Sequence, residues 1–135
     1  MMNILLDTHI LLWTINGDPK IPDSAKNYIL DAANNIFYST VSIWEITIKH
    51  QHEPEKMKVT GRELSRLAQE AGFFPVDIYE YHVFQLDSLK RFDDAPIHKD
   101  PFDRLLIAQA KAENMMLLTH DAMLSYYDES CIVMV

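Results

Sequence analysis

Residues 101–121 read PFDRLLIAQAKAENMMLLTHD. From Pro101 to Asn114 the pattern is helical, opened by a proline whose fixed φ suits the first helical position. MMLLTHD, Met115 to Asp121, is a short apolar run that turns polar at its end, as a buried strand does. The same helix-to-strand pattern recurs along the chain. NILLDT (3–8), NIFYST (35–40), FFPVDI (73–78) and CIVMV (131–135) are the other strand candidates. The clearest further helical patterns are Asp23–Asn34, Val41–His50, Gly61–Ala71, Tyr79–Leu89 and Ala122–Tyr127. Short buried strands alternating with helices predict a parallel sheet covered on both faces. The expected fold class is therefore α/β, a three-layer α/β/α domain with a five-stranded parallel sheet; if that sheet runs in the order 3-2-1-4-5, its order reverses between strands one and four.

The bulk composition agrees with that architecture. A chain of 135 residues is expected to be one domain, 1–135, and at that length it can bury a sizeable core. It is 48% hydrophobic and 24% charged, with no low-complexity tract, which excludes a disordered chain. QHEPEKMKVTG (51–61) is linker-like but joins two helices of one fold, and KRFDDAPIHKD (90–100) has the character of a loop leading into a site. MMNILLDTHILLW has no basic region ahead of its apolar residues, so no signal peptide or membrane span is expected and the reading is cytoplasmic. Cys131 is the sole cysteine, which rules out an internal disulfide or a cysteine metal cluster and leaves it as filler in an apolar tail. The net charge of −8 excludes nucleic-acid binding by a broad basic field, so a polyanionic substrate would need a local cation.

Topology suggests where that cation would sit. Ligands of open α/β sheets bind beyond the carboxyl ends of the strands, where the strand order reverses. Asp7 closes the first strand candidate and Asp121 the fourth, which are neighbours in the order 3-2-1-4-5. Glu45 lies one turn into the helix after strand two. Asp103 lies in the first turn of the helix before strand four, whose start comes back to the same edge. Taken singly, each acid is explained by capping: Thr8 can cap a helix after Asp7, Ser42 and Glu45 fit an S-x-x-E box, Asp100, Pro101 and Asp103 fit N-cap, N1 and N3, and Asp121 can cap the last helix. Capping does not require all four to face one place. Two like charges ~4 Å apart repel by roughly 4 kcal/mol at an effective dielectric of 20, so four of them call for a positive partner. Hard oxygen donors without cysteine suit Mg²⁺ or Mn²⁺. Trp13 and Trp44, with apolar neighbours at helical spacing, are expected in the core. His50, His52 and His82 lack a metal-ligand spacing and are given no role.

LLDTHILLW, SIWEITIK, DPFDRLLIAQA and LLTHD together resemble the PIN-domain family over the whole chain, and the form H-x-D-P-F-D-R-L-L-I-A-Q-A resembles its VapC-like branch, toxins of type II toxin-antitoxin modules. The resemblance implies a PIN fold, a Mg²⁺- or Mn²⁺-dependent ribonuclease acting on an RNA substrate, a cognate antitoxin protein and a homodimer. It assigns Asp7, Glu45, Asp103 and Asp121 as the catalytic, metal-holding acids, prefers Asp103 to Asp100, and makes Thr119 a ligand contact. Arg104, with Lys99, Lys90 and Arg91, is a candidate to steer the RNA backbone. Two other metal-dependent α/β classes fit poorly. A haloacid-dehalogenase-like phosphatase wants D-x-D where this chain has DTH, and a receiver domain wants paired acids after strand one and a lysine near the last strand. The stronger rival is a non-catalytic PIN-fold module that binds RNA or protein.

Overall fold

The computed structural model describes residues 1–135. Five strands, β1 (Asn3–Leu6), β2 (Asn35–Ser39), β3 (Phe74–Val76), β4 (Met116–Thr119) and β5 (Ile132–Met134), form one sheet in the order β3-β2-β1-β4-β5. Every pairing is parallel, with Ile4 opposite Ile36 on one side and Met116 on the other. The expected class and strand order are both found.

Alternation along the strands sorts the core into two layers. Ile4, Leu6, Ile36, Tyr38 and Leu118 join one cluster, with α1 (Thr8–Asn16), α2 (Asp23–Leu30) and α4 (Gly61–Glu70) packed over it. Leu5 and Leu117 point the other way, into a cluster with Leu105, Leu106, Ile107, Ala108 and Ala110 of α6 (Pro101–Glu113). Ile4, Leu5, Leu6 and Leu117 are wholly buried, each a contribution of roughly 1.5–3 kcal/mol against leaving it in water. A sheet buried on both faces explains why its strands read as unbroken apolar runs.

The helix α3 (Thr40–His52) contributes to both layers, with Val41 in the second cluster and Ile46 in the first. This position puts Ser42 and Glu45, on the same inward stripe, at the carboxyl edge of the sheet. Trp44 stands off that stripe by one residue. It is 49% exposed and meets Phe102 edge-on at 4.9 Å, so the expectation of a core tryptophan is corrected. Trp13 is partly buried against the first cluster, as expected.

Local chemistry corrects several helix ends. The helix after β1 starts at Thr8, and its cap is Asp7, whose side chain accepts from the His9 N–H at 3.2 Å. Thr8 is instead buried and bonds Ser42 at 2.8 Å between the two hydroxyls. The S-x-x-E box is not formed, because Ser39 caps α3 by accepting from Val41 N–H at 2.9 Å. Helix α2 ends at Leu30, four residues short of the expected Asn34, since the Asp31 side chain accepts from Ala33 N–H and turns the chain. Helix α5 (Glu80–Gln85) tightens into a 3₁₀ turn at Leu86–Ser88, and the last helix, Ala122–Tyr126, is wholly 3₁₀. No helix is long and apolar enough to cross a membrane.

Candidate active site

Asp7 follows the last residue of β1 directly, and its backbone N–H still pairs with Leu118 O at 3.0 Å. That bond fixes it between β1 and β4, where the strand order reverses. Its side chain is 2% exposed, and it accepts a hydrogen bond from the Thr119 hydroxyl at Oδ2 and from His9 N–H at Oδ1. Thr119, the last residue of β4, is fully buried and also accepts from the Asp121 N–H at 3.1 Å. Its hydroxyl thus joins the first acid to the loop that carries the fourth. Asp121 accepts from Met123 N–H at 2.9 Å as the cap of the last turn, as expected.

The other two acids arrive on helices. Glu45 is 5% exposed; its Oε2 pairs with Lys49 Nζ at 2.8 Å, while Oε1 is buried and has no hydrogen-bond partner. Asp103 is 8% exposed at the third position of α6. Asp100 caps that helix, accepting from Phe102 N–H at 2.9 Å and Asp103 N–H at 3.2 Å, and Pro101 takes the first turn. Asp103 Oδ2 lies 3.2 Å from His98 Nε2. Arg104, the next residue, donates instead to the Tyr127 phenol at 3.2 Å.

Electrostatics show that these groups share one space. Burial first, and then the charges of Asp7, Asp100, Asp121 and Glu45, push the Asp103 carboxyl from its ordinary acidic range up to about 8. Asp7 is raised as well, chiefly by burial and further by Glu45, against the bonds from Thr119 and His9 that favour its charged form. His98 is lowered by burial, with Arg91 and Arg104 in the same direction and Asp100 and Asp121 opposing. All four expected acids therefore gather at the carboxyl edge, and Asp100 adds its field from the rim. A carboxylate oxygen buried without a donor, beside carboxyls that hold back from ionising, is a donor set that fits a hard divalent cation. As the side chains stand, no three Asp, Glu, His or Cys groups are drawn together tightly enough to ligate one ion directly. Mg²⁺ commonly keeps several of its waters, so a looser anionic pocket of this kind remains compatible with it.

Lys49 and Tyr127 were not singled out in the sequence, and Thr8 and Ser42 were read there only as caps. Lys49 is signalled only by its i, i+4 spacing from Glu45. Thr8 and Ser42 are linked across 34 positions, and Tyr127 joins His98 across 29, so neither pair leaves a local pattern.

The reluctance of Asp103 to ionise has a measurable consequence. Between the unfolded carboxyl value near 4 and the folded value of about 8, the folded protein keeps a proton on Asp103 that the unfolded chain has lost. Stability from this group is therefore full below the unfolded value and falls as pH rises to about 8. In EDTA, Asp103→Asn should gain on the wild type with rising pH, by on the order of 3 °C in melting temperature on the alkaline side. A difference that does not change with pH between acidic and alkaline buffers would contradict the shared field.

A family model for the PIN domain matches residues 4–130. Among solved structures the chain is similar to VapBC2 from Rickettsia felis bound to a DNA fragment from their promoter, with a TM-score of 0.69 and 20% identity over 99% of this chain and 98% of that one. It is similar to a toxin-antitoxin complex from Klebsiella pneumoniae, with a TM-score of 0.57 and 18% identity over 96% and 95% of the two chains. A domain of a functionally unknown protein from Methanocaldococcus jannaschii DSM 2661 also matches, with a TM-score of 0.55 and 14% identity over 100% of this chain and 91% of that one. At these identities the likeness establishes the fold. No curated protein sequence matches the chain significantly. With the strand order, the four acids at its reversal and a family match over nearly its whole length, the chain belongs to the PIN-domain family.

Proposed function

We propose that the 135 residues act as one PIN-type domain, a Mg²⁺- or Mn²⁺-dependent endoribonuclease that hydrolyses RNA phosphodiester bonds and serves as the VapC-like toxin of a toxin-antitoxin pair in the cytoplasm. The observation that carries this reading is the convergence of Asp7, Glu45, Asp103 and Asp121 on one edge, with the Asp103 carboxyl pushed up to about 8 by burial and by its neighbours. The neighbours support the partner: one is a toxin-antitoxin complex and another a VapBC2 assembly. An electronegative pocket also suits an inserted arginine from a partner protein, and a second copy of the chain is part of the proposal.

Asp7 and Asp103 would be the principal cation ligands, with Glu45 and Asp121 holding it directly or through water. The bound cation supplies charge neutralisation and Lewis acidity to the attacked phosphate. The chain's own groups do the rest. Thr119 donates to Asp7 Oδ2 and the His9 N–H to Oδ1, which together fix the orientation of the carboxylate at the sheet edge. Lys49 holds Glu45 by Oε2 and leaves Oε1 available as the acceptor of a proton from the attacking water. Arg104 is engaged with Tyr127, so backbone steering falls to the exposed Lys99 on the loop before α6.

Purified protein incubated with defined RNAs, with Mn²⁺ or EDTA, and the mapping of cut ends, tests this directly. Cleavage with Mn²⁺ that stops in EDTA is the expected result. Binding of RNA or of a basic partner without any cleavage would leave the non-catalytic module in its place. The pocket also predicts stabilisation by the cation alone. At ten times its dissociation constant, Mn²⁺ should add about 1.4 kcal/mol, on the order of 5 °C in melting temperature. No shift at saturating Mn²⁺ would contradict a cation site.

A further inference from the structure

Asp103 is tied to the rest of the fold by a chain of hydrogen bonds through His98 and Tyr127 to Arg104. Arg104 Nη1 lies 3.2 Å from the Tyr127 phenol oxygen, and a guanidinium has donors only. The phenol oxygen therefore accepts there and keeps its own hydrogen to give to His98 Nδ1, 2.7 Å away, which is the direction the proposal below assigns. With Nδ1 accepting, the proton of a neutral imidazole sits on Nε2, which faces Asp103 Oδ2 at 3.2 Å. The His98 side chain is only 6% exposed, which limits competition from water for its nitrogens.

Tyr127 is itself gripped. The Arg91 guanidinium carbon stands 5.0 Å from the centre of its ring, and Arg91 Nε and Nη2 are buried with no hydrogen-bond partner, leaving the ring face as their interaction. The backbones of the two residues form an antiparallel bridge, flanked by Phe92 N–H to Tyr126 O at 3.0 Å and Asp128 N–H to Lys90 O at 2.9 Å. Segment 90–92, which begins the irregular loop, is in this way fastened to segment 126–128, and His98 is held between that clamp and α6.

We infer that His98, oriented by Tyr127 and Arg104, is a positioning residue that donates Nε2–H to Asp103 Oδ2 and so fixes the other carboxylate oxygen toward a divalent cation. The inference rests on the cation-dependent reading above. It gives Arg104 an inward, anchoring role in place of contact with RNA. A neutral donor suits this position, because it orders the Asp103 side chain without adding positive charge to the pocket that must attract the cation.

Two measurements test it. In protein labelled with ¹⁵N in the histidine rings, in EDTA at slightly alkaline pH, the His98 signals should show the Nε2–H tautomer, and Tyr127→Phe should mix the two tautomers. An Nδ1–H ring, or signals that Tyr127→Phe leaves unmoved, overturns the relay whatever the protein's activity. Mn²⁺ titration followed by electron paramagnetic resonance gives the second readout. His98→Ala should weaken Mn²⁺ binding about 10- to 100-fold. His98→Gln, whose side-chain amide can still donate to Asp103, should recover most of that loss, and a merely space-filling histidine would show no such rescue. Unchanged Mn²⁺ affinity in folded His98→Ala overturns the inference. Where that variant fails to fold, Tyr127→Phe with unchanged affinity does the same. Failure of the wild type to bind Mn²⁺ would instead overturn the functional reading, while the tautomer still decides the relay.

Discussion

Asp7→Asn is expected to lower Mn²⁺-dependent RNA cleavage by about 10³-fold or more while the fold persists. The argument has two parts. Asp7 is the acid at the junction of β1 and β4, so its loss removes the negative charge at the centre of the pocket. Folding, in contrast, does not need that charge, since burial already pushes the Asp7 carboxyl toward its neutral form. An asparagine oxygen can still accept from His9 N–H and cap α1, and its amide can meet the Thr119 hydroxyl. Activity should vanish with near-wild-type melting, and the Mn²⁺-induced rise in melting temperature should shrink with it. Undiminished cleavage by a folded variant would remove Asp7 from the mechanism.

Gly61→Ala should be among the most destabilising single changes outside the sheet. A Cβ at Gly61 would lie 2.1 Å from Thr47 Oγ1 and 2.9 Å from Ile43 O, both on α3. Thr47 cannot simply swing away without loss, because its hydroxyl is bonded back to Ile43 O at 2.7 Å. The start of α4 must then move off α3, which overpacking data place at about 3 kcal/mol, or on the order of 10 °C in melting temperature. Thr47→Ala removes the nearest obstruction, so the double variant should recover part of the loss. Because α3 also carries Glu45, weaker Mn²⁺ binding should accompany the destabilisation. An unaltered melting temperature for Gly61→Ala would mean that the two helices do not approach this closely.

The legible parts of this chain were those written in local pattern. MMLLTHD and NILLDT are strands because both faces of the sheet are buried, which produces continuous apolar runs that a periodicity reading detects. Asp100, Pro101 and Asp103 take their predicted places at the start of α6, because capping is decided within four residues. Helix α1 was anticipated only through a cap at its start and was not among the clearest helical patterns, since THILLWTIN is apolar on most of its circumference and shows little contrast between faces. Trp44 was misplaced for a related reason: helical spacing shows that a residue has apolar neighbours, but not which stripe faces inward when a helix contributes to both layers of the core.

The sequence alone determined the class of sheet and singled out the four acids at strand ends and helix starts, because hydrophobic period and segment-end position are properties of short segments. The strand order was an expectation that came with the family resemblance, and the folded sheet has it. Only the tertiary structure decided how those acids are held: Thr119 on Asp7, Lys49 on Glu45, and His98 with Tyr127 on Asp103. Hydrogen bonds act over about 3 Å in space, and packing brings together residues separated by as many as 112 positions in the chain, a distance over which no local pattern carries information.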